Sequence, residues 1–313
     1  MATLRQPVRR VQGLRTLRAL IALLVCLASP LAAATSKSDG HLKASGSRFV
    51  RSDGTPFDWR GITAFRLVDF VAHKREAEAE SYLRWAVSKK LTVVRVLVMA
   101  EHLFKLSPDD GRRALPRLLV LAKQLGLHVE VVALADTASI PLDIPAHVKA
   151  VAEICARHPN ALLEIANEPV HPTQVKALHD SAYLQSLARL IPAGVPFALG
   201  AEGEGDGVHT GTYITWHAPR GGPKGWVAEI AKGAEIVRRY NKPVVNDEPM
   251  GAAAKAIEGR RDNSPRRFRE AARASRQAGL GATFHYEGGL QAKKPMAAEM
   301  ACLDAWLAGL SGK

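Results

Sequence analysis

Two short strings in this 313-residue chain end in a carboxylate followed by proline: Leu162-Leu163-Glu164-Ile165-Ala166-Asn167-Glu168-Pro169 and Pro243-Val244-Val245-Asn246-Asp247-Glu248-Pro249. Each is an apolar run of strand length, and proline does not continue a central strand, so Glu168 and Glu248 are expected at the C-terminal tips of two strands. In parallel α/β proteins the chemistry sits at that end of the strands. Two glutamates brought there by separate strands suit cleavage of a glycosidic bond with retention: one protonates the leaving oxygen while the other attacks the sugar from about 5 Å away. A lone Glu-Pro after a strand is ordinarily only a strand end. The chemical reading rests on the pair, on Asn167 before the first, and on the alternating elements around them.

Those elements are read from hydrophobic period. Strands are expected over Asp58 to Phe65, Val93 to Met99, His128 to Ala135, Leu162 to Ala166, Pro196 to Ala201, Tyr213 to His217, Pro243 to Asn246 and Ala282 to Tyr286. Helical patterns lie over Lys74 to Lys90, Pro108 to Leu125, Pro145 to Arg157, Thr173 to Leu190, Val227 to Tyr240, Ser264 to Gln277 and Pro295 to Leu310. Eight strands alternating with helices imply a parallel sheet closed as a (β/α)8 TIM barrel, an α/β fold. A doubly wound open sheet competes, but the Gly-rich phosphate turn it commonly carries after an early strand is missing. The stretch from Gly203 to Thr212 is too short and Gly-rich for a full helix, so the fifth unit reads as a loop. Ahead of the barrel, Phe49-Val50-Arg51 and Pro56 to Arg60 flank the turn signal Asp53-Gly54, a hairpin expected to cap the barrel bottom. The two glutamates are about three strand-helix units apart, which puts them on the fourth and seventh strands, facing each other across the mouth.

The first residues are rich in arginine and free of acids, then Ala19 to Leu27 is apolar and Ala32-Ala33-Ala34 offers small residues to a peptidase, the pattern of a secretory signal. The domain plan is therefore a leader over 1–34, a flexible Ser-, Lys- and Gly-rich lead over 35–47, and one catalytic domain over 48–313. Secretion or export to a periplasm follows, with no membrane attachment after cleavage; a retained anchor is the minority reading, because Ser29-Pro30 cuts the apolar stretch short. Five arginines of the leader account for part of the net charge of +13, and +8 remains on the rest. Arg112-Arg113, Arg260-Arg261 and Arg266-Arg267-Arg269 are expected on solvated outer helices. An acidic polysaccharide could be steered by such a surface. No nucleic-acid motif accompanies the charge. Cys155 and Cys302 are expected as buried thiols, and neither a metal-binding spacing nor a cofactor motif is present.

Glu168 in Asn-Glu-Pro after the fourth strand, Glu248 after the seventh, Arg95 in Val-Val-Arg-Val-Leu on the second and the opening Asp53-Gly54 … Trp59-Arg60-Gly61-Ile62 resemble clan A retaining glycoside hydrolases, and among them family 5, the cellulase-like enzymes. The likeness spans nearly the whole chain after the leader. It implies Glu168 as general acid/base, which carries its proton when it meets the glycosidic oxygen, and Glu248 as nucleophile, kept ionised by Arg95 and another donor. Asn167 would bind the hydroxyl next to the anomeric carbon. On this reading Arg95 reaches Glu248, and replacing it with Met costs activity more than folding. His217 lies at the sixth strand tip, where family members often carry a site histidine. Trp216, Phe284 and Tyr286 could stack on sugar faces, although strand alternation sends about half of such residues into the core. His285 and Glu287 are candidates for the cleft rim.

Three departures from family 5 stand out. The third strand ends in Ala135-Asp136 where a histidine is common, Pro219 stands where a tyrosine often follows the sixth-strand histidine, and the eighth strand lacks the usual tryptophan. Cellulose is therefore a doubtful substrate. The expected partner is an oligo- or polysaccharide acted on by a monomer. Left open are a barrel that binds carbohydrate without turnover and a transglycosylase on the same scaffold. A metal-dependent barrel hydrolase is disfavoured, because no His-x-His pair occurs at a strand end.

Overall fold

A computed structural model of the chain describes residues 40–200, 209–220 and 225–312. The leader over 1–34 lies outside them, as does most of the Gly203 to Thr212 stretch. The chain opens with an antiparallel hairpin, β1 (Lys43–Ser45) and β2 (Arg48–Val50). Eight parallel strands follow: β3 (Arg60–Thr63), β4 (Val93–Leu97), β5 (His128–Leu134), β6 (Ala161–Ala166), β7 (Phe197–Ala198), β8 (Ile214–Thr215), β9 (Val244–Asn246) and β12 (Gly281–Phe284). Between the last two, β10 (Gly251–Ala252) and β11 (Arg261–Asp262) form a small parallel ribbon.

The eight run in the order β7-β6-β5-β4-β3-β12-β9-β8, so sequence neighbours are spatial neighbours all the way round. The remaining gap between β7 and β8 is bridged where Thr212 N donates to Phe197 O at 2.8 Å and Tyr213 N to the same oxygen at 3.2 Å. This is the expected (β/α)8 barrel.

Helices α1 (Leu67–Ala72), α2 (Glu76–Ser88), α3 (Glu101–Phe104), α4 (Pro108–Gln124), α5 (Ile144–Arg157), α6 (Ser181–Ala188), α7 (Trp226–Tyr240), α8 (Pro265–Ala278) and α9 (Ala297–Leu310) accompany the strands. The hydroxyl of Ser107 and the carboxylates of Asp143 and Asp180 accept backbone N–H bonds at the starts of α4, α5 and α6, satisfying donors that a helix start leaves open. Asp180 also explains one difference from the sequence reading. Its cap at Ala182 N begins a new helix there, so the pattern over Thr173 to Leu190 divides into a 3-10 turn at Lys176–His179 and the shorter α6. Helix α1 escaped the reading because its first four residues are all buried, leaving no amphipathic period.

The N-terminal segment enters the fold earlier than the flexible lead over 35–47 implied. Leu42 is buried and Lys43–Ser45 already pair with β2, because Phe49 on the partner strand has an apolar surface to reach. The Asp53-Gly54 turn is present, with Gly54 in the left-handed region and Val50 bridging Pro56. Phe49 stacks on Trp59 at 5.2 Å and meets Tyr213 edge-on at 5.4 Å. Together with Leu42, Phe57, Val93, Leu162, Ala198 and Val245 they form an apolar plug that closes the bottom of the barrel. Cys155 and Cys302 are buried free thiols. Arg112-Arg113 and Arg266-Arg267-Arg269 lie on the outer helices α4 and α8 as expected, but Arg260-Arg261 do not: they belong to the β10–β11 ribbon. Among the described residues no helix is long and apolar enough to cross a membrane.

Candidate active site

Side chains alternate along a strand, and this alternation decides which candidates face the barrel axis. On β4, Val93 joins the bottom plug and Arg95, two residues on, reaches the centre, fully buried. On β6, Leu162 belongs to the plug and Glu164 stands above it. Glu130 of β5 and Asp247, just past β9, complete the layer. Arg95 donates to Glu164 Oε2 from Nη2 at 2.8 Å and from Nε at 3.0 Å, lies 3.1 Å from Asp247 Oδ2, and stands 3.7 Å from Glu130 Oε2. It also donates from Nη1 to Glu248 Oε2 at 3.0 Å, the contact expected from the sequence, and from Nη2 to Asn167 Oδ1 at 2.8 Å.

One guanidinium thus meets four carboxylates. Burial alone would lower Arg95, but Glu164, Asp247, Glu248 and Glu130 hold it well above its ordinary value. The acids share the opposite strain: burial, then the like charges of Asp247 and Glu164, push Glu130 well up, and burial raises Glu164 to about 7 despite Arg95. Both causes favour the protonated form of Glu130. Its Oε1 accepts from the Tyr213 hydroxyl at 3.2 Å.

Above this layer stand the two glutamates. Asn167 N donates to Leu134 O at 2.9 Å, which extends β6 past its last strand residue. The chain then turns sharply at Glu168, whose φ of +46° is in the left-handed region and costs a non-glycine residue on the order of 1–3 kcal/mol. That turn aims its carboxylate at His217, whose Nδ1 donates to Glu168 Oε1 at 3.3 Å. The other nitrogen of the same ring lies 3.3 Å from Asp247 Oδ1 and 4.0 Å from Glu248 Oε2. One imidazole thus stands between the two glutamates.

Burial would lower His217, but Asp247, Glu168 and Glu248 raise it to about 10, so it is an imidazolium at neutral pH. Glu248 has the reverse balance. Burial opposes its charge, yet His285, His217, Arg95 and Arg220 hold it far below the ordinary carboxylate range. Burial pushes His285 itself down to about 3, so the cations acting at neutral pH are His217, Arg95 and Arg220. Arg220, which the sequence reading passed over, donates from Nη2 to Glu248 Oε1 at 3.2 Å and to Glu248 O at 2.9 Å.

Three proposed contacts with sugar are corrected. Trp216 lies between the inward positions 215 and 217, and its ring packs outward against Gly233 of α7. Phe284 and Tyr286 also point outward from the eighth strand; Phe284 packs on Phe268 and Trp306, while the Tyr286 hydroxyl meets Tyr82 Oη at 2.7 Å and donates to Lys293 O at 2.6 Å. All three are core residues. His285 faces inward as alternation requires, but it is buried beneath Glu248 instead of lining a rim, with Nδ1 paired to Thr63 Oγ1 at 2.9 Å. Glu287 alone of this group is exposed.

No family model matches the sequence, and no curated protein does. Comparison of folds gives a plain result: the chain has the fold of clan A, family 5 glycoside hydrolases. A beta-glucanase from Saccharophagus degradans, solved with cellotetraose, aligns with a TM-score of 0.62 at 11% identity over 87% of this chain and 93% of that one. A GH5_18 enzyme from Streptomyces cattleya, solved with GlcNAc, aligns with a TM-score of 0.55 at 16% identity over 82% of this chain and 81% of that one. A family 5 enzyme from Bacteroides vulgatus gives a TM-score of 0.57 at 15% identity over 81% of this chain. The chain spans 57% and 63% of the two Bacteroides vulgatus proteins it matches.

Proposed function

We propose that this chain is an exported retaining β-glycosidase in which Glu168 is the general acid/base and Glu248 the nucleophile. The observation that carries the reading is the asymmetry between two glutamates that share one imidazolium. Glu248 is held ionised by Arg95, Arg220 and His217, as an attacking carboxylate must be. Among the described residues Glu168 has no arginine within 4 Å, and it is the more exposed of the two, as suits a group that meets the glycosidic oxygen and later a water.

In the first step Glu168 gives its proton to the leaving oxygen as the C–O bond breaks, and a Glu248 oxygen bonds to the anomeric carbon. In the second, Glu168 takes a proton from water, whose oxygen displaces Glu248 and restores the starting configuration. Once Glu248 is esterified, a negative charge disappears from beside His217 and Glu168, which eases the change of Glu168 from acid to base. The side-chain amide nitrogen of Asn167 is free of protein acceptors among the described residues, because its oxygen is taken by Arg95. It is available to the hydroxyl next to the reacting carbon.

Chemical rescue tests the assignment. Glu248→Ala removes the nucleophile, so turnover falls by about 10^4-fold or more for every leaving group. Added azide then attacks from the vacated face and gives the α product. Glu168→Ala spares glycosylation by substrates with good leaving groups, so a covalent intermediate accumulates in mass spectrometry and azide releases a β product. A swapped pattern exchanges the roles, and full activity of either variant excludes the pair.

A further inference from the structure

The cleft wall carries a second charged feature that the two-glutamate reading leaves unused. After Glu248 the chain makes an excursion over residues 251–262 before entering α8. Ala252 N donates to His285 O at 2.9 Å and Ala253 N to Asp262 O at 3.1 Å, so the β10–β11 ribbon is fastened to the top of the eighth strand. Its far end is pinned by Asp262, which accepts from Arg267 Nε at 2.5 Å, Arg267 Nη2 at 2.7 Å and Trp226 Nε1 at 3.1 Å. The register sets Gly251 opposite Arg261.

That pairing explains the glycine. A Cβ at position 251 would lie 3.2 Å from Arg261 Cδ, 3.3 Å from its Nη1 and 3.0 Å from His285 Cδ2. The bare backbone leaves a lane in which the Arg261 side chain runs toward the His285 ring and hence toward Glu248. The nearest acid in sequence, Asp262, is fully engaged by Arg267 and Trp226. Among the described residues the Arg261 side chain donates only from Nη1 to Arg260 O at 3.0 Å, and no carboxylate lies within 4 Å of it. Among the described residues the Arg220 side chain donates only from Nη2. Two guanidinium groups therefore stand within electrostatic reach of each other with donors to spare among the described residues, and the half-buried Arg261 feels Glu287 and Glu248 only from beyond ion-pair distance. Like charges brought together at low dielectric are unfavourable unless a counter-charge arrives. The flat fork of arginine suits a carboxylate or sulfate oxygen pair.

We propose that Arg261, with Arg220 beside it, forms an anion subsite in the cleft, so that the glycoside accepted carries a negatively charged substituent on or next to the sugar that meets Glu248. The proposal rests on the glycosidase reading of this cleft and names its substrate class. A basic chain, whose net charge of +13 is still +8 without the five arginines of the expected leader, would add long-range attraction for such a substrate.

The test uses matched oligosaccharides in three forms: neutral, oxidised at the primary hydroxyl to the uronate, and sulfated at the same position. The full-length protein and its Arg261→Gln and Arg261→Lys variants are compared by kcat/KM and by calorimetric binding. The expected result is a preference of at least about tenfold for one charged form over the neutral one, the size a charge-assisted hydrogen bond supports. Arg261→Gln collapses that ratio through KM, and Arg261→Lys, which keeps the charge without the fork, restores part of it. Preference between uronate and sulfate identifies the anion. Cleavage of all three forms with equal efficiency, or a ratio that Arg261→Gln leaves intact, overturns the anion subsite while the glycosidase reading stands. If no form is cleaved, the glycosidase reading fails, and binding alone decides: neutral and charged forms held alike, or not held at all, overturn the subsite as well.

Discussion

The lower and upper halves of this barrel are built from the same strands, with inward positions supplied by the same alternation, and they hold opposite contents. Below, Trp59, Phe49, Tyr213, Val93, Leu162 and Val245 make a plug with no charged side chain. Above, within two residues along β4 and β6, the interior turns to Arg95, Glu130, Glu164 and Asp247, and then to His217, Glu168 and Glu248. Burial is as complete around Arg95, Glu130, Glu164 and Asp247 as in the plug, so burial does not separate scaffold from site. What separates them is whether each buried group needs a partner. A plug residue is satisfied by contact, whereas each charged residue above is tolerated only because of a specific neighbour.

The largest expected effect follows from that dependence. The sequence reading held that Arg95→Met costs activity more than folding, with a structural ion pair in the barrel as the other reading of Arg95. The structure gives it four acids and Asn167. Removing the cation leaves buried carboxylates without compensation, a loss of about 3–5 kcal/mol of stability in addition to activity. Denaturant unfolding measures it. Combining Arg95→Met with Glu130→Gln and Glu164→Gln should recover much of the stability and none of the activity. A stable, inactive single variant would restore the simpler view of Arg95 as a partner for Glu248 alone.

Much of this was legible in the chain, and what was missed has a pattern. The barrel, its strand order and the placement of Glu168 and Glu248 at strand tips follow from period and punctuation. The contact of Arg95 with Glu248 came from the resemblance to family 5 instead. The charged layer was also marked, because Arg95, Glu130 and Glu164 each interrupt an apolar strand, and three such interruptions require one another. Read singly, each looked local. The aromatic residues were misjudged because strand parity was not counted outward from His217 and Thr283, which fixes Trp216, Phe284 and Tyr286 on the helix side. Arg220 and the β10–β11 ribbon could not be read, since they lie in loops where no period operates and tertiary contacts set the course.

The plug sets the complementary limit. Trp59 is buried among the plug residues and donates from Nε1 to Thr283 Oγ1 at 3.2 Å. Trp59→Ala should cost about 3–5 kcal/mol through the cavity it leaves. Per folded molecule, turnover should be unchanged. A large fall in activity at temperatures where the variant is fully folded would show that the two halves are mechanically coupled.

A pH series separates the halves without mutation. His217 is raised to about 10 from an ordinary value near 6.5. Its contribution to stability is therefore whole below pH 6.5 and lost as pH rises through 10. Glu164, raised to about 7 from 4.5, acts in the same sense over its own window: the folded state favours its protonated form, and that advantage disappears between pH 4.5 and 7. Below pH 6.5 the buried His128, His147 and His285, lowered to about 4, 4 and 3, act in the opposite sense, so the fall, on the order of a few kcal/mol, is read between pH 6.5 and 10. Trp59→Ala should lower this curve without changing its shape, and His217→Asn should flatten the limb between pH 6.5 and 10. A wild-type profile flat across that range would mean that His217 is neutral in the folded protein.

The smallest effect is the most discriminating. Glu130 sits in the charged layer by position, but burial and the like charges of Asp247 and Glu164 favour its protonated form, with Oε1 accepting from Tyr213 and Oε2 3.7 Å from Arg95. A protonated carboxyl and a carboxamide have the same shape, and each offers one accepting oxygen and one donating side. Glu130→Gln should therefore change stability by less than about 1 kcal/mol and leave activity near the wild-type level. If Glu130 were instead ionised and balanced by Arg95, the substitution would disrupt a buried ion pair and cost several kcal/mol, on the scale of Arg95→Met. Unfolding of this one variant at neutral pH thus measures how much of the upper layer is charge and how much is polar packing, continuous in kind with the plug beneath it.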